Sequence, residues 1–132
     1  MGSGLKAAII GSGPAGMYTA GALNTKCPGC QIDILDKLAT PYGLVRAGVA
    51  PDHQTTKNVS RAYDKIMENE NVRFVGNLAF GEDISLADLQ ALYDVVILAV
   101  GTPKDRALGI PGEEKDGVFG AQTFVYWYNG HP

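Results

Sequence analysis

The sequence predicts an α/β fold, a parallel sheet with flanking helices, and three observations predict it. A short apolar stretch, Lys6–Ile10, runs into Gly11-Ser12-Gly13-Pro14-Ala15-Gly16 and then into a segment rich in alanine and small residues, 17–25. Gln31–Leu35 follows, with Ile32 and Ile34 alternating with polar neighbours. Strand, glycine turn, helix and strand thus fit into roughly the 30 residues of one βαβ unit. Farther on, residues 94–100 form, after Asp94, a continuous apolar run that ends at Gly101. A central parallel strand has this form when both its faces are covered.

The elements between these landmarks follow from local chemistry. The first helix closes near Pro28-Gly29, a breaker pair. Residues 38–53 have no regular period and are rich in Pro and Gly, which predicts a long ordered loop with at most one short turn. A stripe of Val59, Ala62, Tyr63 and Ile66 predicts one helix over 55–69. Val72–Val75 reads as a short strand, and 78–80 as a further candidate between Gly76-Asn77 and Gly81. Ser85 with Asp88 three residues on marks the start of a helix over Leu86–Leu92. Residues 102–120 are turn-rich, and 121–128 read as a helix bearing Phe124, Val125, Trp127 and Tyr128, stopped by Asn129-Gly130.

Bulk composition bounds the function. The chain has 132 residues, 45% of them apolar and 19% charged, enough for one domain with a core. A net charge of -3 argues against a nucleic-acid or anionic-membrane partner, and no apolar run reaches the length of a membrane span. The first strand pattern starts at Leu5 or Lys6, leaving no room for a signal or transit peptide. An intracellular protein is expected, and matrix and cytoplasm stay equally open. Seventeen glycines, about twice the usual share, point to tight turns and close backbone approaches.

The glycine run carries its own mechanism. Gly11 permits the tight turn out of the strand, Gly13 leaves room for a pyrophosphate, and Gly16 lets the helix pack on the sheet. The helix N-terminus offers unpaired N–H groups and a positive dipole end to phosphates, and Pro14 stiffens its first turn at no hydrogen-bond cost. Asp36 stands 20 residues beyond Gly16, at the end of the second strand, where a carboxylate accepts from a ribose 2′-hydroxyl and disfavours a 2′-phosphate. These features predict a Rossmann-type site for NAD or FAD. Lys37 beside Asp36 is a candidate contact, although a surface position accounts for it better.

A longer resemblance separates the two cofactors. Pro41-Tyr42-Gly43-Leu44-Val45-Arg46-Ala47-Gly48-Val49-Ala50-Pro51-Asp52-His53 resembles the adrenodoxin reductase family of ferredoxin–NADP reductases. So do Lys57-Asn58-Val59, Gly76-Asn77, Gly101, Ile110-Pro111-Gly112-Glu113 and Phe124-Val125-x-Trp127-Tyr128-Asn129, nearly the whole chain. The resemblance implies FAD in this first domain, NADPH as hydride donor in a second, and an iron–sulfur protein such as a ferredoxin or adrenodoxin as electron acceptor. It implies that Ala15 lies against the FAD pyrophosphate through its backbone, that Asp36, where the family usually has Glu, holds the ribose, and that Gly43 and Leu44 contact the cofactor. Phe80 matches a contact to the adenine end, usually Val, and Gly101 belongs to the same set. Arg46 either neutralises phosphate or pairs with Asp52, and His53 either serves the flavin or is an ordered loop residue. Trp127 and Tyr128 either approach the flavin or form an aromatic core at a domain junction.

No second glycine fingerprint follows. Residues 5–128 are therefore read as an incomplete FAD-binding domain and 129–132 as the start of a linker toward an absent NADPH domain. The chain by itself is expected to be inactive and to need a complementing chain or a second copy. Two readings compete: a non-catalytic dinucleotide-binding module or split subunit, and an electron-input subunit like that of glutamate synthase, which shares the glycine fingerprint. Cys27-Pro28-Gly29-Cys30 has the spacing of a redox pair or half a zinc site. It lies between a helix and the next strand instead of at a helix start, which favours inert loop cysteines.

Overall fold

A computed structural model describes residues 4–102 and 104–132. Four parallel strands, β1 (Lys6–Ile10), β2 (Gln31–Leu35), β3 (Val72–Val75) and β4 (Val95–Leu98), form one sheet in the order β3-β2-β1-β4. Among the described residues six helices accompany it: α1 (Pro14–Lys26), α2 (Leu44–Ala47), α3 (Gln54–Lys57), α4 (Ser60–Met67), α5 (Leu86–Leu92) and α6 (Ala121–Asn129). The α/β class expected from the sequence is the one observed.

Strand pleat divides the core in two. Ala7 and Ile9 of β1 stand beside Ile32 and Ile34 of β2 and pack under Met17 and Ala20 of α1 and Tyr63 of α4. On the opposite face Ala8, Ile10 and Leu35 meet Leu89 of α5. Each residue step along a strand reverses the face, so β1, apolar at four of its five positions, feeds both layers.

Asp33 is a partly buried carboxylate on the α5 face. Its carboxylate accepts from Arg73 Nε at 2.8 Å and Nη2 at 2.7 Å, and from the Tyr93 hydroxyl at 2.7 Å. Burial opposes its ionisation, but the Arg73 and Tyr93 bonds prevail and hold the carboxyl below its usual value. Tyr93 is pushed up to about 12, by burial first and by Asp33 next. The Asp33 contribution is therefore full above about pH 3.9 and lost as pH falls through its lowered value. That of Tyr93 is full below about pH 10 and lost as pH rises toward 12. Because Arg73 is largely exposed, solvent screens the pair. Asp33→Ala is expected to lower stability by about 1–2 kcal/mol in urea melts at pH 7, and to flatten the acid limb of the stability profile.

Several local expectations need correction. The first helix begins at Pro14 and not at residue 17, because Gly13 already accepts from Met17 N at 2.9 Å. Residues 38–53 hold one short helical turn, α2, as the sequence allowed. The single helix expected over 55–69 is divided into α3 and α4. Asn58 and Val59 keep helical angles, but bonds such as Val59 N to Thr56 O and Arg61 N to Asn58 O tighten to the i→i−3 spacing. Residues 78–80 form no strand. Phe80 makes one isolated bridge to Ile84, and Ala79 N is held by the Asp83 carboxylate. The run 94–100 shortens to Val95–Leu98 and lies at the sheet edge, not its centre, with Val95 and Leu98 exposed. Val96 and Ile97 still pack against the two core clusters, one on each face, while Val95, Leu98 and the outer edge of the strand are left exposed.

The segment after β4 is held by carboxylates. Asp105 accepts from Gln122 N at 3.0 Å and so caps α6, while Glu113 gathers the N–H groups of Leu108, Gly109 and Ile110. Asn129 ties the end of α6 to the Gly48 carbonyl at 3.1 Å. Trp127 and Tyr128 form no aromatic core. They stand exposed, each with its ring against that of Phe124.

Candidate dinucleotide-binding site

The carboxyl ends of β1, β2 and β4 converge on one cleft. β1 pairs with β2 on one side and β4 on the other, so strand order reverses beside β1, the place where open parallel sheets take ligands. Gly11 N donates to Leu35 O at 2.7 Å, and Ala99 N to Ile10 O at 2.7 Å, which brings the three strand ends together. Gly11 has φ +107°, and a Cβ there would overlap the Ala99 carbonyl. Both facts demand glycine.

The other two glycines of the turn act differently. A Cβ on Gly16 would overlap the Gly11 carbonyl oxygen, so α1 approaches the turn only without a side chain there. A Cβ on Gly13 would meet nothing within 4 Å, because Gly13 faces the open cleft. No side chain caps α1 and no acidic residue occupies its first turn. The first N–H groups of a helix lack intrahelical acceptors, and here the amides of Ala15 and Gly16 stand at a positive dipole end beside the cleft. The second wall comes from the 43–44 loop. Gly43, at φ +50°, lies so close that a Cβ would stand 3.0 Å from the Gly13 Cα.

The cleft has a volume of about 470 Å³, within the range of cofactor sites. Of the residues predicted from sequence, it is lined by Gly11, Gly13, Pro14, Asp36, Lys37, Gly43, Leu44, Phe80 and Gly101. Ala15 and Gly16 frame it through α1 without lining it. Arg46 and His53 are not brought to it. Arg46 donates to Pro41 O at 2.9 Å and sits over the Tyr42 ring. It does not pair with Asp52, which instead holds the exposed His53 at 3.0 Å.

Asp36 is more committed than its position in the sequence suggests. Its Oδ2 accepts from Ser12 N at 2.8 Å and from the Ser12 hydroxyl, and its Oδ1 from Leu38 N at 3.0 Å. An ionised carboxylate offers about four acceptor positions, so about one remains for a ligand hydroxyl. Ser12 itself is fully buried. Ser12→Ala is expected to cost about 1 kcal/mol of stability and to weaken dinucleotide binding roughly tenfold by freeing Asp36, since a tenfold change equals about 1.4 kcal/mol. Calorimetric titration together with a thermal melt checks both.

Sequence reasoning missed Ser12, Glu82, Tyr126 and His131. Ser12 was legible as the variable position inside the fingerprint. Tyr126 and His131, stacked with ring centroids 4.0 Å apart, reach the cleft from the far end of the chain, and no local pattern signals that.

This convergence of a glycine turn, a bare helix N-terminus and a strand-end carboxylate at a switch point is how Rossmann-class proteins hold dinucleotides, and the chain is one of that class. Residues 9–73 match the family described as NAD(P)-binding Rossmann-like domain. The chain is 49% identical to NADPH:adrenodoxin oxidoreductase of Arabidopsis thaliana, over 97% of its own length and 26% of that protein. It is 47% identical to cindoxin reductase of Citrobacter braakii, over 95% and 27%. A structure of FprA from Mycobacterium tuberculosis in complex with NADPH superposes with a TM-score of 0.93 at 42% identity, covering 98% of this chain and 30% of that one. Over nearly its whole length the chain is similar to adrenodoxin and ferredoxin reductases, and it spans little more than a quarter of the length of the curated relatives it matches. Among the described residues no helix is long and apolar enough to cross a membrane.

Proposed function

We propose that this chain is the N-terminal, FAD-binding segment of an NADPH:ferredoxin-type oxidoreductase. In the whole protein, electrons would pass from NADPH through FAD to an iron–sulfur protein. The observation that carries the FAD assignment is the 43–44 loop seated directly against Gly13. It adds an apolar wall, Leu44, to the phosphate turn, suited to a ligand longer than the adenosine diphosphate that the βαβ unit itself accommodates. The relatives' names support the electron route: they are NADPH:adrenodoxin oxidoreductase and cindoxin reductase.

In this reading the amides of Ala15 and Gly16 bind the pyrophosphate, Asp36 takes one ribose hydroxyl, and Phe80 faces the adenine end. FAD, when bound, accepts a hydride and releases electrons singly. This chain's residues bind and orient it. Residues 5–128 form the FAD domain segment, and 129–132 lead toward a second nucleotide domain in the remaining length of the relatives. The exposed β4 edge and the exposed aromatic face of α6 favour completion of the domain by further polypeptide, whether in the same chain, a complementing chain or a second copy. The relatives include proteins named as mitochondrial and others from bacteria, and either compartment suits this chain.

The test is the visible absorption spectrum of the purified chain with and without added FAD, with released cofactor identified by mass. Stoichiometric FAD with a perturbed flavin band is the expected result. Retention of NAD in place of FAD would overturn the assignment.

A further inference from the structure

Neither the cleft nor the proposed electron route uses Cys27 and Cys30, which are both free thiols. Cys30 N donates to Cys27 O at 3.0 Å, closing a four-residue turn between α1 and β2. Pro28 occupies the second position and Gly29, with φ +88°, the third, the pattern of a type II turn. Such a turn holds its first and last Cα atoms within about 7 Å, and a disulfide spans about 4.4–6.8 Å between Cα atoms. The backbone is therefore already close to the geometry of a bridge, held by a proline and by a glycine in the conformation it tolerates best.

The two thiols differ in access. Cys30 is buried in the cluster beneath α1, whereas Cys27 is half-buried. Burial pushes the Cys30 thiol up, and the hydrogen bond and charge of Cys27, followed by the charge of Asp94, push it further. Cys27 caps the C-terminal end of α1. Thioredoxin-like pairs sit at the opposite helix end and owe their oxidising strength to a stabilised thiolate. A pair without that stabilisation is a poor oxidant and holds its disulfide firmly.

We propose that Cys27 and Cys30 are a site of reversible oxidation, at which a hydroperoxide or a low-molecular-weight disulfide closes an intramolecular bridge across the turn. With a hydroperoxide, the Cys27 sulfur attacks the peroxide oxygen, the O–O bond breaks, and a sulfenic acid forms as water or an alcohol leaves. The Cys30 sulfur then displaces the sulfenic hydroxyl, the S–S bond forms, and a second water leaves. Both thiol protons end in the released water or alcohol, and two electrons pass from the sulfurs to the peroxide. With a low-molecular-weight disulfide, two successive exchanges at Cys27 and then Cys30 release two small thiols. The bridge joins the end of α1 to the start of β2, away from the phosphate turn at Pro14. It therefore stiffens the βαβ unit and leaves the cleft unchanged.

The test treats the full chain with hydrogen peroxide, and separately with glutathione disulfide. Intact mass, thiol alkylation and thermal melting are then followed. The expected result is loss of the mass of two hydrogens, no alkylatable thiol, no retained glutathione, a rise in Tm of a few degrees, and complete reversal by dithiothreitol. Cys30→Ser is expected to keep one glutathione on Cys27, and Cys27→Ser to resist modification because Cys30 is buried. Two thiols that still alkylate after treatment would overturn the proposal. So would a wild-type chain that keeps glutathione or sulfinic acid on Cys27, or that links through an interchain disulfide.

Discussion

Gly16→Ala is expected to destabilise the fold by about 3 kcal/mol or more and to lower Tm by roughly 10–15 °C. The added methyl would overlap the Gly11 carbonyl oxygen and stand 3.3 Å from the Ile9 side chain. Neither neighbour can yield cheaply. Gly11 is held to Leu35 by a backbone bond of 2.7 Å, and Ile9 is fully buried in the sheet. Relief requires α1 to move off β1, which loosens Met17 and Ala20 from the layer they complete. Alanine's better helix propensity returns only about 1 kcal/mol. A thermal melt or a urea titration of the variant against the parent chain decides the matter, and a Tm within a few degrees of the parent would contradict the close packing described.

Gly13→Val is expected to do the reverse, leaving the fold nearly intact while reducing dinucleotide affinity by 100-fold or more, about 2.7 kcal/mol or greater. Nothing lies within 4 Å of a Cβ at this position, and its φ of -70° suits any residue. The cost in stability is confined to a poorer N-cap, about 1 kcal/mol or less. The branched side chain would project into the space before the Ala15 and Gly16 amides, the space a pyrophosphate needs. Titration of FAD into the folded variant, followed by flavin fluorescence, measures the loss. Unchanged affinity would mean that the phosphates bind elsewhere. Together the two variants separate glycine used for packing from glycine used for access.

Much of this site was legible because it is local. The strand Lys6–Ile10, the glycine turn, the following helix and Asp36 lie within one βαβ unit, where chain connectivity alone brings residues 24 apart, such as Ser12 and Asp36, into contact. The two helices α3 and α4 were less legible. Their apolar stripe is continuous, and what separates them is a tightening of hydrogen bonds at Asn58-Val59, which no residue type there announces. Arg46 and His53 stood beside the right residues in sequence but point away from the cleft, because α2 and the turn after it send their side chains to Tyr42 and Asp52.

By itself the sequence determined the fold class, the order of the strands' landmarks and the phosphate turn, since periodicity, glycine spacing and capping are properties of short segments. Tertiary structure alone decided that β4 is an edge strand and that Asp36 spends most of its acceptor capacity on Ser12 and Leu38. It alone placed Tyr126 and His131 at the cleft and closed the Cys27–Cys30 turn with its thiols unequally buried. Each of these depends on which surfaces meet once the chain is packed, and burial, hydrogen-bond competition and cross-chain distance are set there and nowhere in the order of residues.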